Sequence, residues 1–327
     1  MKKTMVTAGL AGVLTAGALV SSAGADPIGQ PTYRALQGTG SDTTQGVLNG
    51  LSNAVQVNGQ LAIASYDAGG NGASATITTK DPATTPNCTI NRPSGSGAGV
   101  NTLTNPNTAG CVNFARSSAD NSGSYAGQNL TYIPFATDAV AVGIRTDSQI
   151  GKSLSTAQLT KIYNCGTPSV TPFLPQFNSG TRKFFLQQLG FADAADFTSQ
   201  ANHTCIKETD GNGNPLLENT GTLITDPTAV VPYAISSYLA QSAGTVPDVR
   251  GAITLVSVNG LAPTVLNTAS SYVRDVYNVV RNGDLTKDPV SSVFVGKTSA
   301  VCSNSNIIQR YGFAVSAACG DTTLQTK

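Results

Sequence analysis

Apolar residues recur along this chain in two rhythms, and the switching between them predicts an α/β protein. Leu61-Ala62-Ile63-Ala64-Ser65-Tyr66 and Ala139-Val140-Ala141-Val142-Gly143-Ile144 are short apolar patches with the character of buried strands. Elsewhere the spacing is helical. Val47, Leu48, Leu51 and Val55 fall on one face of a helix predicted over residues 40–55, with Asp42 and Gln45 at capping-box spacing near its start. Ser155 and Gln158 form a second capping box, and Leu154 with Leu159 can staple the helix that runs on to about Tyr163. A further helix begins near Gly180 and stops before Gly190, a residue suited to the left-handed turn after a helix. Residues 232–241 read as a helix, 253–258 as a strand, and 271–280 as a strand or short helix. Residues 81–99 are rich in Pro, Gly and Ser and enter a helix near Ala98. Residues 208–228 form a long polar excursion. Strands alternating with helices in this way indicate α/β architecture.

The first 25 residues have the pattern of an export signal. Lys2 and Lys3 precede an apolar stretch from Met5 to Val20, and Ala23-Gly24-Ala25 provides a small-residue cleavage site. No Cys follows that stretch, so a lipid-tethered N-terminus is not expected. Later segments lack the 18 unbroken apolar residues of a membrane span, so the mature chain is expected to be soluble, secreted or associated with the cell wall. Its roughly 300 residues suffice for two domains with real cores. The whole chain carries +1, and loss of Lys2 and Lys3 from the 19 basic residues leaves 17 against 18 acidic. Charged residues make up only 11%, against about 25% in an average domain. No long-range positive field or Lys/Arg cluster draws nucleic acid to it.

Six cysteines, Cys88, Cys111, Cys165, Cys205, Cys302 and Cys319, include no CxxC pair. An even count in an exported chain points to disulfides rather than metal. We expect the sequential pairing Cys88–Cys111, Cys165–Cys205 and Cys302–Cys319, each worth about 2–4 kcal/mol. The remaining motifs argue mainly by exclusion. His203 is the only histidine, placed in a polar stretch and expected at the surface, and no G-x-S-x-G elbow exists to pair with it. Asp210-Gly211-Asn212-Gly213-Asn214 opens like a calcium loop, but Pro215 stands where the sixth-position glycine is required. Neither P-loop nor dinucleotide fingerprint is complete. A metal, a cofactor and enzymatic chemistry are therefore not expected.

Three runs of glycine and hydroxyl residues then stand out at helix starts: Gly40-Ser41-Asp42-Thr43-Thr44, Ser94-Gly95-Ser96-Gly97-Ala98-Gly99 and Asn178-Ser179-Gly180-Thr181-Arg182. A helix start exposes unpaired N–H groups and partial positive charge. Glycine admits a ligand close to that backbone, and Ser or Thr adds a hydroxyl. Together the three suggest a site that surrounds an oxyanion with neutral donors. Arg116 follows the apolar stretch 111–115 and precedes Ser117 and Ser118, while Arg182 lies one residue past Thr181. Either guanidinium could supply a two-pronged bond to phosphate or sulfate.

These residues resemble the phosphate-binding proteins of bacterial ABC uptake systems, within the type II periplasmic-binding-protein superfamily, over most of the mature chain. Gly40-Ser41-Asp42-Thr43, Gly95-Ser96-Gly97-Ala98-Gly99-Val100, Val112-Asn113-Phe114-Ala115-Arg116-Ser117-Ser118 and Asn178-Ser179-Gly180-Thr181 look like that family's four phosphate loops. The stretches 133–142 and 154–163 are similar to its hinge-bound strand and the helix after it. Tyr272-Val273-Arg274-Asp275-Val276-Tyr277 is similar to its return segment. The resemblance implies a two-lobed type II periplasmic-binding-protein fold with hinge strands and an interdomain cleft. Lobe one would hold residues 35–142 and 256–327, and lobe two 143–255. It implies a monomer that needs no cofactor, captures inorganic phosphate or a similar tetrahedral oxyanion, and works with an ABC transporter permease. The ligand set would be Ser41, Asp42, Thr43, Ser96, Gly97, Arg116, Ser117, Ser118, Ser179, Gly180, Thr181 and Arg182.

Three departures qualify the likeness. Ser118 stands where phosphate-specific members carry an aspartate that accepts a hydrogen bond from a protonated phosphate oxygen, leaving Asp120 or Asp42 as substitutes. Pro175 stands where the family has an arginine, leaving Arg116 or Arg182 to replace it. The lipid-attachment Cys is missing. The alternatives are a binder of sulfate, molybdate or an organic phosphate, a secreted phosphoesterase, and a cell-surface module on the same fold.

Overall fold

A computed structural model describes residues 26–27, 31–69, 74–264 and 270–327. The expected signal peptide, residues 1–25, lies outside the described residues. The elements that build the site are β1 (Leu36–Gly40), α1 (Gln45–Ser52), β2 (Ile63–Ser65), α2 (Ser96–Thr104), β3 (Phe114–Ser117), β4 (Leu130–Arg145), α3 (Thr156–Tyr163), α4 (Gly180–Gln188), β5 (Ala229–Ala234), α5 (Ile235–Ser242), β6 (Ile253–Val258) and β7 (Val273–Arg281).

One strand organises the whole chain. β4 is 16 residues long, about three times the usual length, and it serves two neighbourhoods. Its first part, from Leu130 to Ala139, pairs antiparallel with β7. Its last part, from Val140 to Arg145, pairs antiparallel with β5 and β6. On the first side the sheet continues through β3, antiparallel to β7, then β1 and β2, parallel to one another. The result is two lobes strung on one continuous sheet.

Each lobe covers both faces of its part of the sheet with apolar side chains. In lobe one, Leu36, Leu48, Ile63, Phe114, Val276 and Phe294 pack on one face, and Val100, Leu103, Tyr132 and Val279 on the other. In lobe two, Val142, Ile144, Tyr163, Phe185 and Val230 form one cluster, and Leu216, Ile224, Tyr233 and Ile253 the second. Burial on both faces is why the Ala139–Ile144 part of β4 reads as a continuous apolar run rather than an alternating one. Between the lobes the buried cluster shrinks to Ala139, Ala141 and Ile235.

Several expected elements stand as read. β6 spans 253–258, and α3 carries the Ser155–Gln158 capping box with both of its bonds formed. α4 ends at Gln188, with Gly190 at φ +82°. Others shift. α1 starts only at Gln45, and the expected Asp42–Gln45 box does not form, because the Gln45 side chain accepts from Ala68 N instead (2.8 Å). Residues 232–234 belong to β5, and the helix starts at Ile235. The ambiguous 271–280 stretch is strand β7. The lobe borders move as well. Val140 packs with the second lobe's cluster, as do Val256, Val258 and Tyr272, which the expected border at 256 would have put in lobe one. The chain crosses at Ala139/Val140 and returns at Tyr272/Val273. His203 is buried rather than at the surface. Its ring stacks on Phe197 at 4.1 Å and its Nδ1 meets Tyr163 O at 2.7 Å, inside the second core.

The three disulfides join Cys88–Cys111, Cys165–Cys205 and Cys302–Cys319. Cys165–Cys205 encloses the longest loop, with a separation of 40 residues, and ties α3's end to the segment behind the second core. A loop of that size is worth about 4 kcal/mol through chain entropy. Replacing both cysteines by alanine is expected to lower the unfolding free energy in urea by roughly 2–4 kcal/mol.

Candidate functional site

The glycine–hydroxyl runs meet where the two lobes touch. Gly40 has φ +121°, and a Cβ there would lie 2.7 Å from Arg116 O; a Cβ on Gly99 would lie 2.6 Å from the Gly40 Cα. Only glycine at both places lets the first loop and the start of α2 lie back to back. From lobe two, the α4 start docks on the same region. A Cβ on Gly180 would stand 2.5 Å from both Ser96 Oγ and Ser118 Oγ. Asn178 O accepts from Gly97 N at 3.1 Å, and Gln176 Nε2 donates to Ser94 Oγ at 2.7 Å.

At the centre the threonines of both lobes join. Thr43 Oγ1 lies 3.2 Å from Thr181 Oγ1 and donates to Glu218 Oε1 at 2.7 Å. Thr181 Oγ1 accepts from Arg274 Nη2 at 2.7 Å. Arg274 sits on β7 directly opposite Asp138 of β4 in the register, beside the crossover. The two form a buried ion pair at 3.0 Å. The other Asp138 oxygen, Oδ1, accepts from Ser236 N of α5 (3.1 Å), so this carboxylate holds a helix of lobe two as well. Phe184 stacks on the guanidinium, 5.4 Å from ring centre to Arg274 Cζ. Among the described residues, Arg274 Nε and Nη1 have no hydrogen-bond partner, and neither do Ser41 Oγ, Asp42 Oδ2, Thr44 Oγ1, Ser236 Oγ and Glu218 Oε2. Buried polar groups are rarely left unpaired. Those of Ser41, Asp42, Glu218 and Arg274 belong to the residues of this junction or their immediate loop.

The expected ligand residues divide by where their bonding capacity goes. Ser41, Asp42, Thr43, Ser96, Ser118, Gly180 and Thr181 come together at the junction. Ser96 and Ser118 lie 3.2 Å apart, with Ser118 N donating to Ser96 Oγ at 3.0 Å. Ser179 Oγ caps α4 by accepting from Arg182 N. Ser117 turns away, its hydroxyl donating to Ala119 O at 2.7 Å, and Gly97 N is taken by Asn178 O.

Both expected arginines are engaged within the protein. Arg116 donates through Nε to Ser41 O (3.0 Å) and through Nη1 to Tyr66 O (2.7 Å) and Ser65 Oγ (3.0 Å). It is a strut under the first loop, and burial pushes its pKa down to about 10 against the pull of Asp67 and Asp42. Arg182 is held by Asp193 at 2.8 Å and by Glu208, and also donates to Pro175 O at 3.2 Å. The guanidinium with unspent donors at the junction is Arg274, which sequence reasoning placed in the return segment without assigning it a role. Asp138 and Glu218 were missed too. Glu218 lies in the polar excursion, where nothing in the sequence marks it as buried. For Arg274 and Asp138 a signal existed: a charge inside an otherwise apolar strand needs an opposite charge beside it.

Electrostatically the junction is acid-rich. Asp42 has its pKa raised well above the ordinary carboxylate value, first by burial and then by the Glu218 carboxylate; the amides of Asp42 and Thr43 oppose this less strongly. Asp210 of the excursion has no part in the site. It accepts from Asn212 N and Asn214 N in its own turn, as expected of a polar loop.

The chain belongs to the periplasmic-binding-protein (PBP) superfamily, whose PBP superfamily domain matches residues 25–293. No curated protein matches the chain. Among solved structures, a protein from Clostridium perfringens with bound phosphate, assigned as a phosphate ABC transporter substrate-binding protein, is 17% identical with TM-score 0.54 over 86% of this chain and 99% of its own. An ABC-type phosphate transport receptor from Vibrio cholerae is 16% identical, with TM-score 0.50, over 85% and 99%. A phosphate-binding protein from Stenotrophomonas maltophilia is 13% identical, with TM-score 0.51, over 87% and 91%. At such identities the likeness is one of fold, and the fold is the two-lobed α/β fold of that superfamily.

The arginine geometry makes a separable expectation. Arg182→Ala strands Asp193 and Glu208, and breaking a buried ion pair from one side costs about 3–5 kcal/mol. Its urea midpoint should fall markedly, whereas Gly180→Ala, whose new methyl collides with lobe one, should leave each lobe folded and weaken their contact. Small-angle scattering that found Gly180→Ala as compact as the parent would contradict this.

Proposed function

We propose that this chain is an exported solute-binding protein that captures inorganic phosphate between its lobes and presents it to an ABC transporter permease. The observation that carries this reading is the convergence of hydroxyl-bearing loops from both lobes on a buried arginine with unspent donors, Arg274. A tetrahedral oxyanion matches that set. Arg274 Nε and Nη1 supply charge-assisted bonds, which are roughly twice as strong as neutral ones. Ser41, Ser96, Ser118, Ser179 and Thr181 supply hydroxyls, and the α4 start supplies partial positive charge. Asp42 and Glu218 supply acceptors. A protonated phosphate oxygen can donate to such a carboxylate, whereas sulfate arrives without a proton and meets repulsion. This favours phosphate over sulfate or molybdate and gives the position left open by Ser118 a functional replacement.

The solved relatives named as phosphate receptors support the same ligand class. Binding rather than turnover fits the residues present: the hydroxyls have no imidazole beside them, since the sole histidine lies inside the second core. Lobe closure about the crossover strands is the motion such a receptor needs. Export through the signal-like N-terminus, release outside the cell and action as a monomer complete the reading.

Isothermal titration of the mature protein with phosphate, arsenate and sulfate tests it. Heat is expected with phosphate and arsenate and much less with sulfate. Arg274→Ala should weaken phosphate binding about 10- to 150-fold, the worth of a hydrogen bond to a charged group. Neither heat nor thermal shift with any of the three anions would reject the proposal.

A further inference from the structure

Asp42 and Glu218 reach the junction from opposite lobes, and both are buried, at 4% and 0% exposure. Glu218 is anchored on one oxygen by Thr43, whose hydroxyl donates to Oε1. Its other oxygen, Oε2, and Asp42 Oδ2 find no donor among the described residues. Asp42 directly precedes Thr43 in the chain, so the Thr43–Glu218 bond brings the Glu218 carboxylate to the Asp42 loop, where its negative charge adds to the effect of burial on Asp42. Two carboxylates cannot bond one another, because each only accepts; a carboxyl and a carboxylate can.

The surrounding charges do not relieve this. Arg116 attracts Asp42 from β3, but its hydrogen bonds go to Ser41, Gly38, Ser65, Tyr66 and Gly40. Arg274 is paired with Asp138 and reaches this loop through Thr181 and Thr43, and its unspent donors, Nε and Nη1, are those left for the anion. An incoming anion adds negative charge beside this pair, in a setting where water no longer screens it.

We propose that Asp42 and Glu218 share one proton across the lobe contact, so that closing the lobes on an anion takes up a proton from solvent. On closure the proton binds the Asp42 carboxyl, which then donates to Glu218, and the pair carries one negative charge instead of two. With the lobes apart, water reaches Asp42 and its carboxyl returns towards the ordinary carboxylate range. The inference rests on the phosphate reading for its ligand, and it makes the same junction sensitive to external pH. The sign follows from burial: a carboxyl whose pKa rises on closure favours the closed form at low pH, and that advantage fades as pH rises above the ordinary carboxylate range.

The test is a proton count. Phosphate is titrated into the mature protein at pH 6, 7 and 8, each in two buffers of different ionisation enthalpy, and the same is done with Glu218→Gln. The amide keeps the shape, can still accept from Thr43 and can donate to Asp42 without a proton. Phosphate's own ionisation contributes to both proteins, so the difference isolates the pair. The parent should take up as much as one more proton per phosphate than the variant, and lose affinity up to tenfold more per pH unit. Equal proton counts would overturn the proposal. If phosphate gives no heat, the phosphate reading fails, and small-angle scattering of the ligand-free proteins from pH 4 to 8 decides instead. The parent should shift from the compact towards the open form as pH rises while Glu218→Gln does not, and identical pH dependence would overturn the shared proton. Should Glu218→Gln fail to fold, Asp42→Asn provides the same two comparisons.

Discussion

The buried pair Asp138–Arg274 is the constraint on which the rest of this structure depends. It lies where β4 and β7 pass between the lobes, opposite one another in the register. Asp138 also accepts from an N–H in the first turn of a lobe-two helix, and Arg274 reaches a lobe-two threonine. Two charges deep in an apolar sheet are expensive unless each has a partner and further hydrogen bonds. Asp138 satisfies that rule with both of its oxygens. Arg274 satisfies it with only part of its donor set, leaving Nε and Nη1 without partners among the described residues.

Three arginines are buried in or near this region, and their partners separate their roles. Arg116 spends its guanidinium on backbone carbonyls, which fixes the shape of the first loop. Arg182 spends its own on two carboxylates behind α4, which fixes the fourth loop. Each holds one of the glycine–hydroxyl loops in place. Because those two guanidiniums are committed to the fold, the charge available to an anion has to come from the hinge. The functional reading thus places recognition and lobe geometry on one side chain: an anion that engages Arg274 is in direct contact with the strand about which the lobes turn.

Glycine does the complementary work. Gly40, Gly99 and Gly180 have no side chain because three backbones, two from lobe one and one from lobe two, approach one another closely. The hydroxyls of Ser96 and Ser118 fill the space a Gly180 Cβ would occupy. Small residues at the contact and large apolar clusters on either side let two rigid bodies meet through a narrow polar seam.

What the sequence determined by itself was whatever depends on near neighbours in the chain. The capping box of α3, the glycine after α4, the strand at 253–258, the cysteine pairing and the loops that carry Ser41, Thr43, Ser96, Ser118 and Thr181 follow from local periodicity, local turn chemistry and resemblance. Which arginine serves the site could not be read that way. Arg116 and Arg182 stand beside hydroxyl runs in the chain, yet they turn towards carbonyls and acids contributed by residues up to 78 positions away. Arg274 lies 93 residues from Thr181 and 136 from Asp138, and only the sheet register brings the three together. The burial of Glu218 and the crossing points of the lobes were likewise decided in three dimensions. The physical reason is the same throughout: hydrogen bonds and ion pairs are settled by which donors and acceptors the folded sheet brings within about 3 Å, and neighbourhood along the chain does not fix that distance.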